Sequence, residues 1–129
     1  MSISTEISFG EFLDKLTILE IKCERIQDVE KLENVKYERE VLNKIWRDNE
    51  KSSVDISAEF DALKKINEQL WEIEDDIRDK ERNKEFDQKF IELARAVYVT
   101  NDKRARIKKE INLKLGSDLV EEKSYSDYE

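Results

Sequence analysis

The stretch FIELARAVYVTNDKRARIKKEIN, residues 90–112, begins as an ordinary amphipathic helix and then changes character. Phe90, Leu93, Ala94 and Val97 recur at the spacing of one helical face. The same stripe continues through Asn101, Arg104 and Lys108 and becomes apolar again only at Ile111 and Leu115. A charged group on a core-facing stripe must be paired, because an unpaired buried charge costs several kcal/mol. The stretch therefore predicts either a long helix whose middle carries a polar site, or two helices that break near Thr100, Asn101 and Asp102 and need not share a face.

Composition favours long helices. The 129 residues are most simply one domain, residues 1–129. There is no proline and there are only two glycines, so few positions break a helix. Charged residues make up 43% of the chain, well above the ordinary share, which points to extended solvated helix faces.

Before the quoted stretch, Ile3, Thr5 and Ile7 alternate with polar residues and suggest a short extended segment or edge strand. Ser8 followed by Glu11 is a capping box, so the first helix is expected to start near Phe9. Its core stripe reads Phe9, Phe12, Leu16, Leu19, Cys23 and Ile26, which makes Cys23 a buried thiol. Asp28 is placed to cap a second helix over 29–51 that buries Leu32, Val35, Leu42, Ile45 and Trp46. A third helix begins at Asp55 or Ser57 and runs to about Asn83. Leu63, Ile66, Leu70, Ile73 and Ile77 form a heptad seam along it. The fourth helix runs from near Asp87 to Gly116, a left-handed C-terminal cap. The acidic tail, 117–129, lacks helical periodicity. It is expected either to be flexible or to dock Leu119, Val120 and its tyrosines, with Glu121 and Glu122 against the basic end of the fourth helix. The expected fold is all-α, an antiparallel bundle of about four helices, two of them long.

Missing residues narrow the chemistry. With no histidine, Ser-His-Asp and Cys-His nucleophile pairs are excluded, as are His-containing zinc and di-iron sites. One cysteine excludes an internal disulfide and a thiolate metal cluster within the chain. Two glycines, at 10 and 116, cannot write a phosphate-binding loop or a dinucleotide fingerprint. What remains is chemistry by carboxylates, Lys, Arg, Tyr and amides, and no cofactor is read from the sequence. A net charge of −8 argues against generic nucleic-acid or anionic-membrane binding. There is no apolar run of transmembrane length and the N-terminus has no secretory pattern, so the expected location is the cytoplasm.

Two further helices carry second faces. On the first, Ile18 and Ile21 lie roughly opposite the core stripe, beside Glu11, Asp14, Lys15, Lys22 and Arg25. On the third, Asn67, Trp71, Glu74, Asp75 and Arg78 adjoin the heptad seam. If Arg104 and Lys108 point inward, Glu11, Asp14, Glu74 and Asp75 are available partners. The outcome is then either a closed ion-pair network or a pocket in which cations converge on an anion. The candidate ligand-binding set is Asp14, Lys15, Trp71, Glu74, Asp75, Arg78, Tyr98, Asn101, Arg104 and Lys108. In it, Arg78, Arg104 and Lys108 meet the anion, Asn101 and Tyr98 orient it, Glu74 and Asp75 position the cations, and Trp71 offers a stacking surface. The expected partner is an anionic small molecule or an acidic protein segment. Two rivals stand beside this. One is self-association, a homodimer formed in coiled-coil fashion through the third-helix seam and Ile18/Ile21. The other is Mg²⁺-dependent nucleotide pyrophosphohydrolysis on the carboxylate pairs Glu11/Asp14 and Glu72/Asp75.

The blocks SFGEFLDKLTILEIK, LWEIEDDIR, FIELARAVYVTNDKRARIKKEIN and EEKSY resemble a family of small bacterial and phage proteins described as a domain of unknown function. Some members occur alongside, or fused to, glycosyltransferase-type proteins of surface polysaccharide synthesis. The family pattern covers Asp14, Lys15, Glu20, Trp71, Glu74, Asp75, Arg78, Arg95, Tyr98, Asn101, Asp102, Arg104 and Lys108. The resemblance implies a glycan- or nucleotide-sugar-related role.

Overall fold

The computed structural model describes residues 1–128; the acidic Glu129 of the tail lies outside the described residues. Among the described residues four α-helices follow one another: α1 (Phe9–Arg25), α2 (Val29–Asp48), α3 (Ser57–Arg82) and α4 (Gln88–Leu115). A 3-10 turn, Glu50–Ser53, joins α2 to α3 and ends the second helix earlier than its polar run suggested. No strand forms among the described residues, and the alternating N-terminal residues 2–7 are irregular. A single short edge has no partner strand here to satisfy its backbone groups.

The helix ends are set by local chemistry. The Ser8 hydroxyl accepts from the Glu11 N–H at 3.1 Å, and the Asp28 and Asp87 carboxylates accept from Lys31 and Phe90 N–H groups, each at 3.0 Å. Such caps contribute about 1 kcal/mol each. Gly116 closes α4 at φ 68°, in the left-handed region that a side chain resists. Between these caps α4 is continuous through Thr100, Asn101 and Asp102, so the apolar and polar halves of its stripe belong to one rod.

Helix directions follow from cross-links. Gly10, Glu11 and Asp14 of α1 meet Asn112, Lys108 and Arg104 of α4, in opposite order along the two helices. Glu59 meets Lys114, and Lys80 meets Asp87, so α3 is also antiparallel to α4. Phe9 and Phe12 stack near Trp46, which sets α2 antiparallel to α1. α1, α3 and α4 pack on one another, with α3 against α4 the most extensive pairing, while α2 packs chiefly on α1.

The apolar core fills the end of the bundle where α1 and α3 begin and α4 finishes. Leu13, Leu16, Ile56, Leu63, Ile111 and Leu115 are buried there, with Phe9, Phe12, Trp46 and Ile107 packed around them. Some expectations shift. α1 is covered on more than one side, so its buried set is Leu13, Leu16, Leu19 and Ile21 together with Gly10, Asp14 and Thr17. Cys23 is half-buried rather than enclosed. No residue of α2 is fully buried, and Ile45 is 53% exposed, because this helix packs chiefly on α1 alone. Of the α3 seam only Leu63 is fully buried. The others are half-buried on the helix whose main partner is α4, so the heptad serves the chain's own packing.

Candidate functional site

The polar interruption of α4 is answered by an interruption in α1. The Asp14 carboxylate is 1% exposed, deep among leucines, and would be untenable there without partners. Arg104 donates to it through two nitrogens: Nε to Oδ1 at 2.9 Å, and Nη2 to Oδ2 in a short contact. Asn67 of α3 donates its amide to the same Oδ1 at 2.9 Å and to the Thr17 hydroxyl oxygen at 2.8 Å. Thr17 in turn donates to the Asp14 carbonyl at 2.7 Å. One carboxylate therefore ties three helices together. Its hydrogen bond is the main reason the Arg104 guanidinium is held above its ordinary pKa, although burial pulls the other way.

One turn further along, Lys108 extends between two carboxylates, Glu11 at 2.7 Å and Glu121 of the tail at 2.9 Å. Burial is the largest single influence on Lys108 and opposes its charge, but the hydrogen bonds it donates to Glu11 and Glu121, together with the nearby charges of Asp14 and Glu11, outweigh it and raise the amine's pKa. Glu121 is held below the usual carboxylate range, chiefly by its hydrogen bond with Lys108. A depressed carboxyl contributes above its unfolded pKa and is lost as pH falls through its folded value. A raised amine contributes below its unfolded pKa and is lost as pH rises through its folded value. The tail contact is therefore expected to hold across neutral and mildly alkaline pH and to release on acidification through and below the usual carboxylate range. NMR shifts of the Tyr128 ring, followed against pH and compared with Glu121→Gln at neutral pH, check this. A ring signal that neither perturbation moves contradicts it.

Next to the Asp14 cluster, a cleft of about 540 Å³ opens between α1, α3 and α4. Ile18, Ile21, Leu70 and Trp71 form its apolar wall, and Asn67, Glu74, Asp75, Arg78, Asn101 and Arg104 its polar side. Of the sequence candidates, Trp71, Glu74, Asp75, Arg78, Asn101 and Arg104 thus come together in one concavity, with Asp14 directly behind Arg104. Lys15 does not join them; it is exposed on α1. Lys108 is not among the lining residues and is engaged by Glu11 and Glu121. Tyr98 lies on α4 one turn before Asn101, 44% exposed, with its ring edge-to-face against Tyr128 at 5.3 Å. The expected positioning of cations by Glu74 and Asp75 is replaced in part. Glu74 pairs with Arg78 at 3.2 Å, whereas Arg104 is positioned by Asp14.

Ile18 and Ile21, read from the sequence as a second face opposite the core stripe, line this cleft, and Ile21 is 1% exposed. Three of the four carboxylates considered for Mg²⁺ are drawn to cations. Glu11 meets Lys108, Asp14 meets Arg104, and Glu72 meets Arg25 at 3.4 Å. Among the described residues no group of three His, Cys, Asp or Glu side chains is placed to hold a metal ion.

Thr17 was missed from the sequence, and Asn67 was seen only as part of a stripe. The signal was present at i, i+3 in Asp14 and Thr17, interleaved with Leu13 and Leu16, but the phenylalanines drew the predicted face away from it. Arg104's remaining edge is lightly used. Among the described residues Nη1 reaches only the Asn101 side-chain oxygen, at 3.5 Å.

No curated protein and no solved structure matches this chain. A family model matches residues 3–128, nearly the whole of it, and the chain belongs to that family, the family of unknown function DUF6165.

Proposed function

We propose that the cleft between α1, α3 and α4 binds a small anionic molecule that also carries a sugar ring, in the manner of a sugar phosphate or nucleotide sugar. The observation that carries this reading is the divided guanidinium of Arg104. A guanidinium has two edges that can each grip an oxyanion. Asp14 takes the Nε/Nη2 edge and fixes the group in place, leaving donors on Nη1 and Nη2 with one 3.5 Å contact. A donor already held by a buried carboxylate loses little freedom on binding. Arg78 supplies a second cation at the same cleft, and its pair with Glu74 is solvent-exposed and so easily exchanged. Trp71 offers a flat apolar surface for a ring, while Asn101, Glu74 and Asp75 suit hydroxyl groups. The resemblance to proteins found beside glycosyltransferases points the same way.

Thermal shift and calorimetric titration with glucose 1-phosphate, UDP-glucose, free nucleotides and simple carboxylates test the reading. A sugar phosphate or nucleotide sugar is expected to raise the melting temperature; saturation to a hundred times Kd corresponds to about 2.7 kcal/mol. Trp71→Ala and Arg78→Ala are each expected to weaken binding by roughly tenfold or more, consistent with losing a ~1–3 kcal/mol contact. A panel without a hit removes the proposal. Arg104→Ala is the poorer probe, since it also leaves Asp14 buried and unpaired.

A second reading, self-association of two copies, rests on a face other than the one the heptad suggested. Tyr37, Val41 and Ile45 are exposed at i, i+4 and i+8 on α2, the helix with the fewest neighbours. Sedimentation velocity decides it. Concentration-dependent dimers that Val41→Lys abolishes support it, and a monomer at the highest attainable concentration removes it.

A further inference from the structure

At the end of the bundle where α1 begins and α2 and α4 finish, a cavity of about 330 Å³ opens that shares no residue with the cleft between α1, α3 and α4. Phe9, Phe12 and Trp46 line it as an aromatic cluster, each phenylalanine ring 6.3 Å from the indole. Ile45 of α2 adds an exposed aliphatic side. Its size is near the lower bound of ordinary ligand pockets, so it takes a side chain or two of an incoming molecule.

Charge around this cavity has one sign. Glu6 and Asp118 line it, both exposed and neither paired with a cation among the described residues, and no Lys or Arg is among the lining residues. The C-terminal ends of α2 and α4 lie beside it at Asn49 and Ser117, and helix C-termini carry partial negative charge. The N-terminus of α1 is here too, but its Gly10 and Glu11 N–H groups are already taken by the Asn112 and Ser8 side chains.

The remaining edge is the N-terminal segment. Residues 2–7 alternate Ile3, Thr5 and Ile7 with Ser2, Ser4 and Glu6, the pattern of a strand, yet they form none. Among the described residues their backbone N–H and C=O groups take no partner within the chain. Thr5, Glu6 and Ile7 line the cavity, so this unpaired stretch runs along its margin. A strand-patterned segment without a neighbour is completed when another chain supplies one. Main-chain bonds then give affinity, and alternate side chains give specificity.

We infer that this face docks an extended basic–apolar segment of a partner protein, which adds a strand beside residues 2–7. Successive side chains of a strand point to opposite faces. The segment's apolar residues therefore meet the aromatic cluster next to Ile7, while its Lys or Arg residues fall opposite Glu6. Asp118, across the cavity, adds to the same acidic field. Six residues of strand span roughly 20 Å, an ordinary strand length. A second copy of this chain is disfavoured as the occupant by charge, since each copy carries −8 and brings the same acids to the face.

The probe is the capped hexapeptide Lys-Phe-Lys-Val-Lys-Phe, titrated into the full ¹⁵N-labelled chain and followed by NMR. Two controls run beside it: Lys-Lys-Lys-Phe-Phe-Val, with the same composition but no alternation, and Glu-Phe-Glu-Val-Glu-Phe. The alternating basic peptide is expected to shift the amide signals of residues 3–9 and the Trp46 indole N–H, and to slow hydrogen exchange at residues 3–7. Ser4→Pro with Thr5→Pro removes a donor from each edge of the segment, and affinity is expected to fall at least about tenfold. Glu6→Lys with Asp118→Lys is expected to weaken binding by roughly tenfold through charge reversal. All four positions are exposed, so both double variants are expected to keep the parent's melting temperature, which circular dichroism checks. No binding, equal affinity for the three peptides, or shifts that miss residues 3–9 and Trp46 overturns the inference. Movement of those signals with protein concentration alone assigns the face to a second copy and also overturns it.

Discussion

Replacing Asp14 with alanine is expected to cost about 3–5 kcal/mol, the range for breaking a buried ion pair from one side. The substitution removes the acceptor of two Arg104 nitrogens and of the Asn67 amide. Arg104 then has no carboxylate at its buried edge, and Asn67, itself 5% exposed, loses one of its two acceptors. A domain of this size commonly has only 5–15 kcal/mol to lose, so the melting temperature should fall by roughly 10–20 °C. Asp14→Asn keeps the shape and one acceptor but not the charge, and is expected to cost nearly as much. The double variant Asp14→Leu, Arg104→Leu is the informative partner. With both charges gone the desolvation penalty is gone too, and the loss should be well below the sum of the single losses. Urea unfolding of the parent, Asp14→Leu, Arg104→Leu and the double variant gives the coupling directly. An Asp14→Ala chain within about 1 kcal/mol of the parent, the ordinary value for an unremarkable substitution, contradicts the assignment of this carboxylate as the node of the bundle.

The second large effect is expected at Gly10. A Cβ built there would lie 2.5 Å from the Lys108 carbonyl oxygen and 3.0 Å from the Asn112 side-chain oxygen. The first obstacle is helix backbone, which cannot swing aside as a side-chain tip can. Gly10 N–H also donates to that Asn112 oxygen at 2.6 Å, inside the bundle. Gly10→Ala must therefore push α1 off α4 at a place where the two backbones approach closely. The expected cost is about 3 kcal/mol, at the upper end for overpacking a tight site. The helix propensity of alanine offsets only about 1 kcal/mol of it. Asn112→Ala removes the acceptor without adding bulk and is expected to cost about 1–3 kcal/mol, since it leaves a buried N–H unpaired. Equilibrium unfolding ranks the two. A Gly10→Ala chain as stable as the parent shows that the α1–α4 crossing has room, against the geometry described here.

These two sites differ in how legible they were. Ser8, Asp28, Asp87 and Gly116 act through neighbours three or four residues away, so the helix boundaries they set could be read from spacing alone. The second helix was overextended because nothing local distinguishes a last helical turn from the 3-10 turn at Glu50–Ser53. Arg104 was legible as an anomaly, a cation on an apolar stripe, but its partner was not. Four carboxylates were available, and the choice of Asp14 over Glu74 depends on how α1 lies against α4. Lys15 follows Asp14 in sequence yet faces water, because adjacent positions on a helix lie about 100° apart. Gly10 gave no sign of its role: close approach of two backbones leaves no pattern in either segment taken separately.

By itself, then, the sequence determined an all-helical chain with capped ends, excluded chemistry that needs histidine or several thiols, and marked the middle of α4 as a place where charge must be balanced. Those properties follow from residue types and short spacings, which act within a turn or two of the chain. The tertiary structure alone decided that Asp14, Thr17, Asn67 and Arg104 form one node, that six candidates share a cleft while Lys15 stands apart, and that the tail returns along α4 to Lys108 and Tyr98. Pairings between residues some fifty to a hundred positions apart depend on the relative rotation and offset of packed helices. Those are fixed by how side chains interlock across the interface rather than by either helix alone.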